Sequence, residues 1–428
     1  MRSQRAKQEL EEGKYNGSLS RIYGCPEKES ESRAARISRA VGAFESLYGK
    51  DQDVAVFIAP GRTEIGGNHT DHQGGCVLAA GVGLDAVAVA ARTDDGKIRV
   101  KSEGFPEDAI AAGDYQRRPE EKNTSKALVR GICSAFERRG YRVGSFHAYT
   151  TSEVLPGSGL SSSAAFEVLL GTIVNGLFCR GAEKPLSIAQ IGRFAENEYF
   201  GKPCGLMDQA ASAIGGFAYL DFKEEGNPFA EKIPFDFSRC GYRMCMIDTK
   251  GSHAGLTPDY AAIPAEMRRV AACFGKKVLS QVDEGEFYAQ IPKVRASAGD
   301  RAVLRAIHFF GDNARVKKQA EALRRGNFEA FLQLVVESGR SSFMYLQNVY
   351  SPSHIREQGV AVALALCERL LSPRGGAWRV HGGGFAGTVQ AYVPEEFLGE
   401  FTRGMEAVFG KNSCRPLAVR PAGGIQIL

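Results

Sequence analysis

The chain has 428 residues, 43% apolar and 24% charged, with a formal net charge of +5. These values exclude a disordered or fibrous chain, and the weak positive balance gives no reason to expect a nucleic-acid partner. No unbroken apolar run reaches about 18 residues, so no membrane partner is expected, and the charged start lacks the apolar core of a secretory signal. Ten cysteines form no CxxC pair and no regular spacing; they read as reduced thiols in a cytoplasmic protein.

Residues 1–40 are polar and read as an N-terminal surface extension of helix and loop. Residues 54–59 form a short apolar run stopped by Pro60-Gly61, and 77–92 is a β-prone stretch broken by Gly81 and Gly83. Alternation predicts a strand over 97–103. Helical spacing follows over 125–139, then a strand over 146–151, an apolar helix over 164–178 and a helix over 188–199. Residues 212–222 contain a glycine turn and a strand. The Gly/Pro-rich stretch 224–237 reads as a connector. The domain organisation expected is therefore the extension 1–40, a first domain over 41–225 and a second over 226–428. In the second domain, strands are expected over 242–247, 378–381 and 388–393, and helices over 298–308, 313–325, 328–336 and 355–371. Strands and helices mix without regular βαβ units, which favours a two-domain α+β fold.

Three glycine clusters, Gly61–Gly75, Gly157–Gly159 and Gly382–Gly387, carry the chemistry. The first is Ala59-Pro-Gly-Arg-Thr-Glu-Ile-Gly-Gly-Asn-His-Thr-Asp-His-Gln-Gly-Gly75, which packs Arg62, Glu64, Asn68, His69, Asp71 and His72 beside an apolar run. So many donors and acceptors suit a polyhydroxylated ligand, although a solvated loop has the same composition. The second is Leu155-Pro-Gly-Ser-Gly-Leu-Ser-Ser-Ser-Ala-Ala165, where a strand meets an apolar helix. Backbone N–H groups at such a helix start, with the helix dipole, make a phosphate cradle, and three serines add hydroxyls; a capped helix is the plainer reading. No GxxxxGK[ST] is present. Between the second and third clusters, Asp208 stands among Leu206, Met207, Ala210 and Ala211, where a carboxylate must be paired or functional.

In this order the segments resemble the GHMP small-molecule kinases and, within them, the galactokinase family. Gly61–Gly75 resembles the pattern GRVNLIGEHTDYNGG, Pro156–Ala165 resembles PxGxGLSSSAA, Cys204–Gln209 resembles CGIMDQ, and His381–Gly387 resembles a GGGFGG loop. The stretch Arg305–Val316 also resembles RARHVVTENxRV, so the likeness runs over about residues 40–428.

The resemblance implies a GHMP architecture, with an N-terminal α+β domain and a ferredoxin-like C-terminal domain. It implies an ATP-dependent sugar 1-kinase acting on galactose. Asp208 would be the catalytic acid-base group and Arg62 its partner. Asn68, His69, Asp71, Gly205 and Tyr260 would contact the sugar. Gly157, Ser158, Gly159, Leu160, Ser161, Ser162 and Ser163 would hold the triphosphate, with Ser163 and Glu196 as Mg2+ ligands. The partners implied are a small sugar and ATP, for a monomer or weak homodimer.

The departures bear on the sugar. The pattern's EHTD glutamate is Asn68 here, its following Tyr and Asn are His72 and Gln73, and the EYNxRR stretch is Asp259-Tyr260-Ala-Ala-Ile-Pro264. A kinase for arabinose or an N-acetylated hexosamine is the alternative within the class, and a non-catalytic sugar sensor the alternative outside it. The aromatic residues expected near adenine are absent from 123–131.

Overall fold

The protein is described from a computed structural model that covers residues 1–154, 159–224, 226–252 and 254–428. The strands are β1 (Ala55–Gly66), β2 (Cys76–Arg92), β3 (Lys97–Ser102), β4 (Glu107–Ala111), β5 (Phe146–Ser152), β6 (Phe217–Asp221), β7 (Phe229–Ile233), β8 (Tyr242–Asp248), β9 (Ala377–Val380), β10 (Thr388–Pro394), β11 (Cys414–Leu417) and β12 (Ile425–Gln426). The chain divides into two compact units. Met1–Arg62, Ala80–Gly216 and Ala418–Leu428 form the first, and Thr63–Ala79 and Phe217–Leu417 the second.

This division corrects the expected linear one. Residues 63–79 join the later half of the chain because their backbone is bonded there: the Gly67 and Asn68 N–H groups donate to Asp312 Oδ2 at 3.2 and 3.0 Å, and Cys76 N–H donates to Asn313 Oδ1 at 2.7 Å. The last eleven residues return to the first unit because β12 pairs antiparallel with β1, Phe57 opposite Gln426.

The first unit is built on the strand order β12-β1-β2-β5-β3-β4. Residues 1–40 are not a surface extension. They form helices Ser3–Glu11 and Asn16–Tyr23 and the first part of Glu27–Tyr48, and Ala6, Leu10, Leu19, Ile37 and Val41 pack with Val56, Val87 and Val89 of the sheet. Their few apolar residues sit at helical spacing amid many charges, so average polarity hid the buried stripe. Beneath them Asp85 is wholly buried. It accepts hydrogen bonds from Tyr23 Oη, Arg36 Nη1 and Arg420 Nη1, each at 2.6 Å. One carboxylate thereby ties the N-terminal helices, β2 and the C-terminal segment together.

β1 runs through Pro60-Gly61, and β2 continues past Gly81 and Gly83 for 17 residues. Gly61 marks a close approach: a Cβ there would lie 3.0 Å from the Leu160 carbonyl oxygen, which accepts a hydrogen bond from Arg62 N–H at 3.0 Å. The helix Ser162–Cys179 is long and apolar enough to cross a bilayer, but 72% of it is buried inside the protein, so it serves as a core helix.

In the second unit β8 is flanked by β11 and β10, and β9 closes the order β11-β8-β10-β9, all antiparallel. Helices Gly359–Leu371 and Leu398–Phe409 supply Val360, Leu364, Phe401 and Met405 to a core shared with Cys245, Ile247, Val380, Val389, Ala391 and Val393 of the strands. The two helices expected over 298–308 and 313–325 are one, Asp300–Arg324. The helix expected from 355 starts at Gly359.

Candidate active site

In the first unit residues 159–161 lead into the helix Ser162–Cys179, whose N-cap Ser161 has a left-handed backbone, φ +57°. Gly157 and Ser158 lie outside the described residues; Gly159, Leu160, Ser161, Ser162 and Ser163 lie within them. Asp208 occupies the first turn of helix Met207–Ile214. Arg62 binds it with both prongs, Nε to Oδ1 at 2.6 Å and Nη2 to Oδ2 at 2.7 Å, while Arg62 Nη1 donates to the Gly159 carbonyl at 2.7 Å. Ser161 Oγ donates to Asp208 Oδ2 at 2.7 Å.

Burial pushes the Asp208 carboxyl up, but the adjacent Arg62 charge and the bonds from Arg62 and Ser161 outweigh it and hold it below the usual aspartate range. The Asp208 side chain keeps 32% of its surface exposed, against 12% for Arg62, so the carboxylate remains open to a ligand. The resemblance places Ser161 at phosphate alone; here it also fixes Asp208.

Glu196 sits in a π-helical turn, Ala195–Phe200, that continues helix Pro185–Phe194. Such turns are rare and occur frequently at functional sites. Lys202 Nζ donates to Glu196 Oε1 at 3.2 Å, and Gln209 Nε2 donates both to Glu196 Oε2 at 2.9 Å and to Glu167 Oε2 at 2.8 Å. Burial, and then the Glu196 charge, push Glu167 well above the usual glutamate range. Glu167 Oε1 and Gln209 Oε1 are buried without a partner among the described residues. Among those residues no cluster of three or more His, Cys, Asp or Glu side chains could hold a metal. Glu196 and the Ser163 hydroxyl are nevertheless hard oxygen donors of the kind magnesium takes, and the surplus of acceptor oxygens around Glu196 fits a cation. Gly205 lies in the irregular stretch between the π-helical turn and helix Met207–Ile214.

A cavity of about 510 Å3 opens beside this loop, bounded by Ser162 and Phe166 of the helix and by Glu103, Phe105, Pro106 and Ser125. Phe105 is 62% exposed. Its sequence signal was weak, a lone aromatic after a strand, and the sequence reading passed over it.

In the second unit Asp71 opens a short 3-10 turn, its Oδ1 accepting His72 N–H at 2.9 Å. His69 holds a left-handed backbone, φ +61°, uncommon for a residue with a Cβ. Its ring contacts the Gly383 carbonyl at 3.2 Å, so Nε2 donates. Tyr260 Oη donates to the Gly384 carbonyl at 2.9 Å, and its ring meets Phe385 edge-on. A Cβ on Gly384, which has φ +79°, would lie 2.0 Å from the Asn348 carbonyl oxygen.

Asn68 departs from its expected place facing a sugar. It is fully buried. Its Nδ2 donates to Glu64 Oε1 at 2.9 Å and to the Gly382 carbonyl at 2.6 Å. Its Oδ1 accepts from Asn348 Nδ2 at 2.7 Å and from Ser342 Oγ at 3.5 Å. An amide so engaged has no free capacity for a ligand. The sequence reading also missed the role of Glu64, which pairs with Arg379 at 2.7 Å, because the partner lies 315 residues away.

Burial, and then nearby His72, push the His69 imidazole down to about 3, and burial lowers His308 as well. Both are neutral in the folded state, whereas an unfolded histidine titrates near ~6.5. A folded pKa below the unfolded one means stability is complete above pH ~6.5 and falls as pH drops through the window below it. The thermal midpoint should therefore decline from pH ~7 to pH ~5, before carboxylates titrate, and His69→Gln should flatten that decline. An unchanged slope in the variant would refute the assignment.

Two family descriptions match the sequence: "Galactokinase galactose-binding signature" over residues 42–92 and "GHMP kinases N terminal domain" over residues 127–216. A galactokinase of Streptomyces coelicolor is 29% identical over 390 residues, covering 90% of this chain and 97% of that protein. A galactokinase of Thermotoga neapolitana is 30% identical over 332 residues, 77% of this chain and 87% of that protein. In fold, the chain is similar to Lactococcus lactis galactokinase complexed with galactose (TM-score 0.76, 23% identity, 92% of this chain and 100% of that one). It is also similar to the Methanococcus jannaschii mevalonate kinase (TM-score 0.60, 14% identity, 86% and 98%).

Proposed function

The chain belongs to the galactokinase family of the GHMP kinases, and from that premise we propose that it transfers the γ-phosphoryl group of ATP to the C1 hydroxyl of galactose, in the cytoplasm. The observation that carries the reading is the two-pronged Arg62–Asp208 pair with Ser161 on the same carboxylate. Phosphoryl transfer asks a protein mainly for positioning and for neutralisation of spread negative charge. Asp208 orients the sugar hydroxyl and takes its proton as the new P–O bond forms. An aspartate held this acidic is a weak base, so the proton moves late. Arg62 keeps Asp208 ionised and lends positive charge beside the reacting phosphate.

Backbone N–H groups of residues 159–163, at the start of the helix Ser162–Cys179, hold the triphosphate. Ser163 and Glu196 would hold Mg2+, which when bound neutralises phosphate oxygens. The cavity at Phe105 and Phe166 accommodates adenine, with an aromatic face available for stacking. His69, Asp71, Gly205 and Tyr260 serve the sugar hydroxyls.

The test is ADP release with galactose, arabinose, galactosamine derivatives and glucose as acceptors. Galactose should give the highest kcat/KM. Faster turnover of another sugar would keep the kinase and overturn the choice of galactose. Binding of sugar without ADP release from any acceptor would favour a sensor.

A further inference from the structure

Among the departures of the segment Gly61–Gly75 from the family pattern GRVNLIGEHTDYNGG, two are coupled. The pattern has Asn where this chain has Glu64, and Glu where it has Asn68. The structure puts these two side chains in contact, Asn68 Nδ2 to Glu64 Oε1 at 2.9 Å. One carboxylate and one amide are thus kept, with their positions exchanged.

The exchange has physical consequences at each position. At 64 the carboxylate meets Arg379, which is wholly buried and has Glu64 as its ion-pair partner. At 68 the amide donates to the Gly382 carbonyl at 2.6 Å, a bond that an ionised carboxylate, having no proton, could not make. The next two carbonyls of the same loop are held as well: Gly383 O accepts from the His69 ring and from Asn348 Nδ2, and Gly384 O accepts from Tyr260 Oη. Asn68 is further locked through its backbone, N–H to Asp312 and carbonyl to His308. It therefore fixes the chain immediately before His69 and the loop that His69 and Tyr260 grip.

We propose that Glu64 and Asn68 are an exchanged carboxylate–amide pair, and that Asn68 is a positioning residue that sets sugar affinity through His69 and the Gly382–Gly384 loop without touching the sugar. The proposal rests on the galactose-kinase reading for its kinetic arm only. Restoring the family residue at one position is then harmful. Asn68→Glu places two carboxylates side by side in a buried site and loses the bond to Gly382, and Glu64→Asn removes the countercharge of a buried guanidinium. The double variant Glu64→Asn/Asn68→Glu again holds one acid and one amide.

The experiment is a double-mutant cycle read by thermal midpoint and by KM for galactose and for ATP. Each single variant should lower the midpoint and raise the galactose KM about tenfold or more, with the ATP KM within about twofold, and the double variant should recover most of both losses, as coupled neighbours do. A purely structural pair would move both KM values or neither. Should a single variant fail to fold, recovery of the folded state in the double variant is the readout. A galactose KM lowered by Asn68→Glu alone, or losses that simply add, would overturn the proposal. A wild type that turns over no galactose but shows the coupled midpoints would overturn the galactose reading and leave the exchanged pair standing.

Discussion

Asp208→Asn should lower kcat by about 10²–10⁴-fold, the usual worth of a positioned general base, with a much smaller change in the KM for galactose. The amide keeps the size of the side chain and can still accept from Ser161. It cannot take a proton, and it leaves Arg62 without its countercharge. The wild-type profile of kcat/KM should show no acid limb from Asp208 down to pH ~5, because burial raises this carboxyl but the Arg62 charge and the hydrogen bonds from Arg62 and Ser161 together outweigh it and hold it below the usual aspartate value of about 4. Steady-state kinetics across pH on both proteins would check this. Turnover in the variant equal to wild type would remove Asp208 from the chemistry, and an acid limb near pH ~6 would contradict the ionised pair.

The second large effect concerns folding. Asp85→Ala should destabilise the first unit by about 3–5 kcal/mol, the range for breaking a buried ion pair from one side. Arg36 and Arg420 both lose the carboxylate that they share, and Tyr23 loses its acceptor. Arg420 is fully enclosed and Arg36 is 8% exposed, so solvent offers little relief. Urea unfolding followed by circular dichroism measures the loss. A change below about 1 kcal/mol, the scale of an exposed pair, would mean that water reaches the guanidinium groups. Because the network joins the first 40 residues to the C-terminal segment, removing residues 1–25 should be harmful for the same reason.

Much of this protein was legible in its residues alone. The helix Ser162–Cys179 and the pairing of Arg62 with Asp208 were both expected from short motifs. Such motifs are legible because backbone approach and helix-start donors are local requirements, met by glycines and serines at fixed spacing. Local reading also located most strands, although it broke β1 and β2 at glycines and a proline that the extended chain accommodates within the sheet.

Tertiary structure alone decided three matters. It turned residues 1–40 into part of a core, because a narrow apolar stripe counts only once a sheet is there to cover it. It assigned 63–79 and 418–428 to units remote from them in sequence, through hydrogen bonds to Asp312 and Asn313 and through the pairing of β12 with β1. It also decided what Asn68 does. Whether a polar side chain faces a ligand or is consumed by the protein depends on partners that local sequence does not reveal, here Gly382 and Asn348, and for the adjoining Glu64, Arg379. Burial makes those long-range bonds obligatory, since an amide or carboxylate enclosed without them would be too costly to keep.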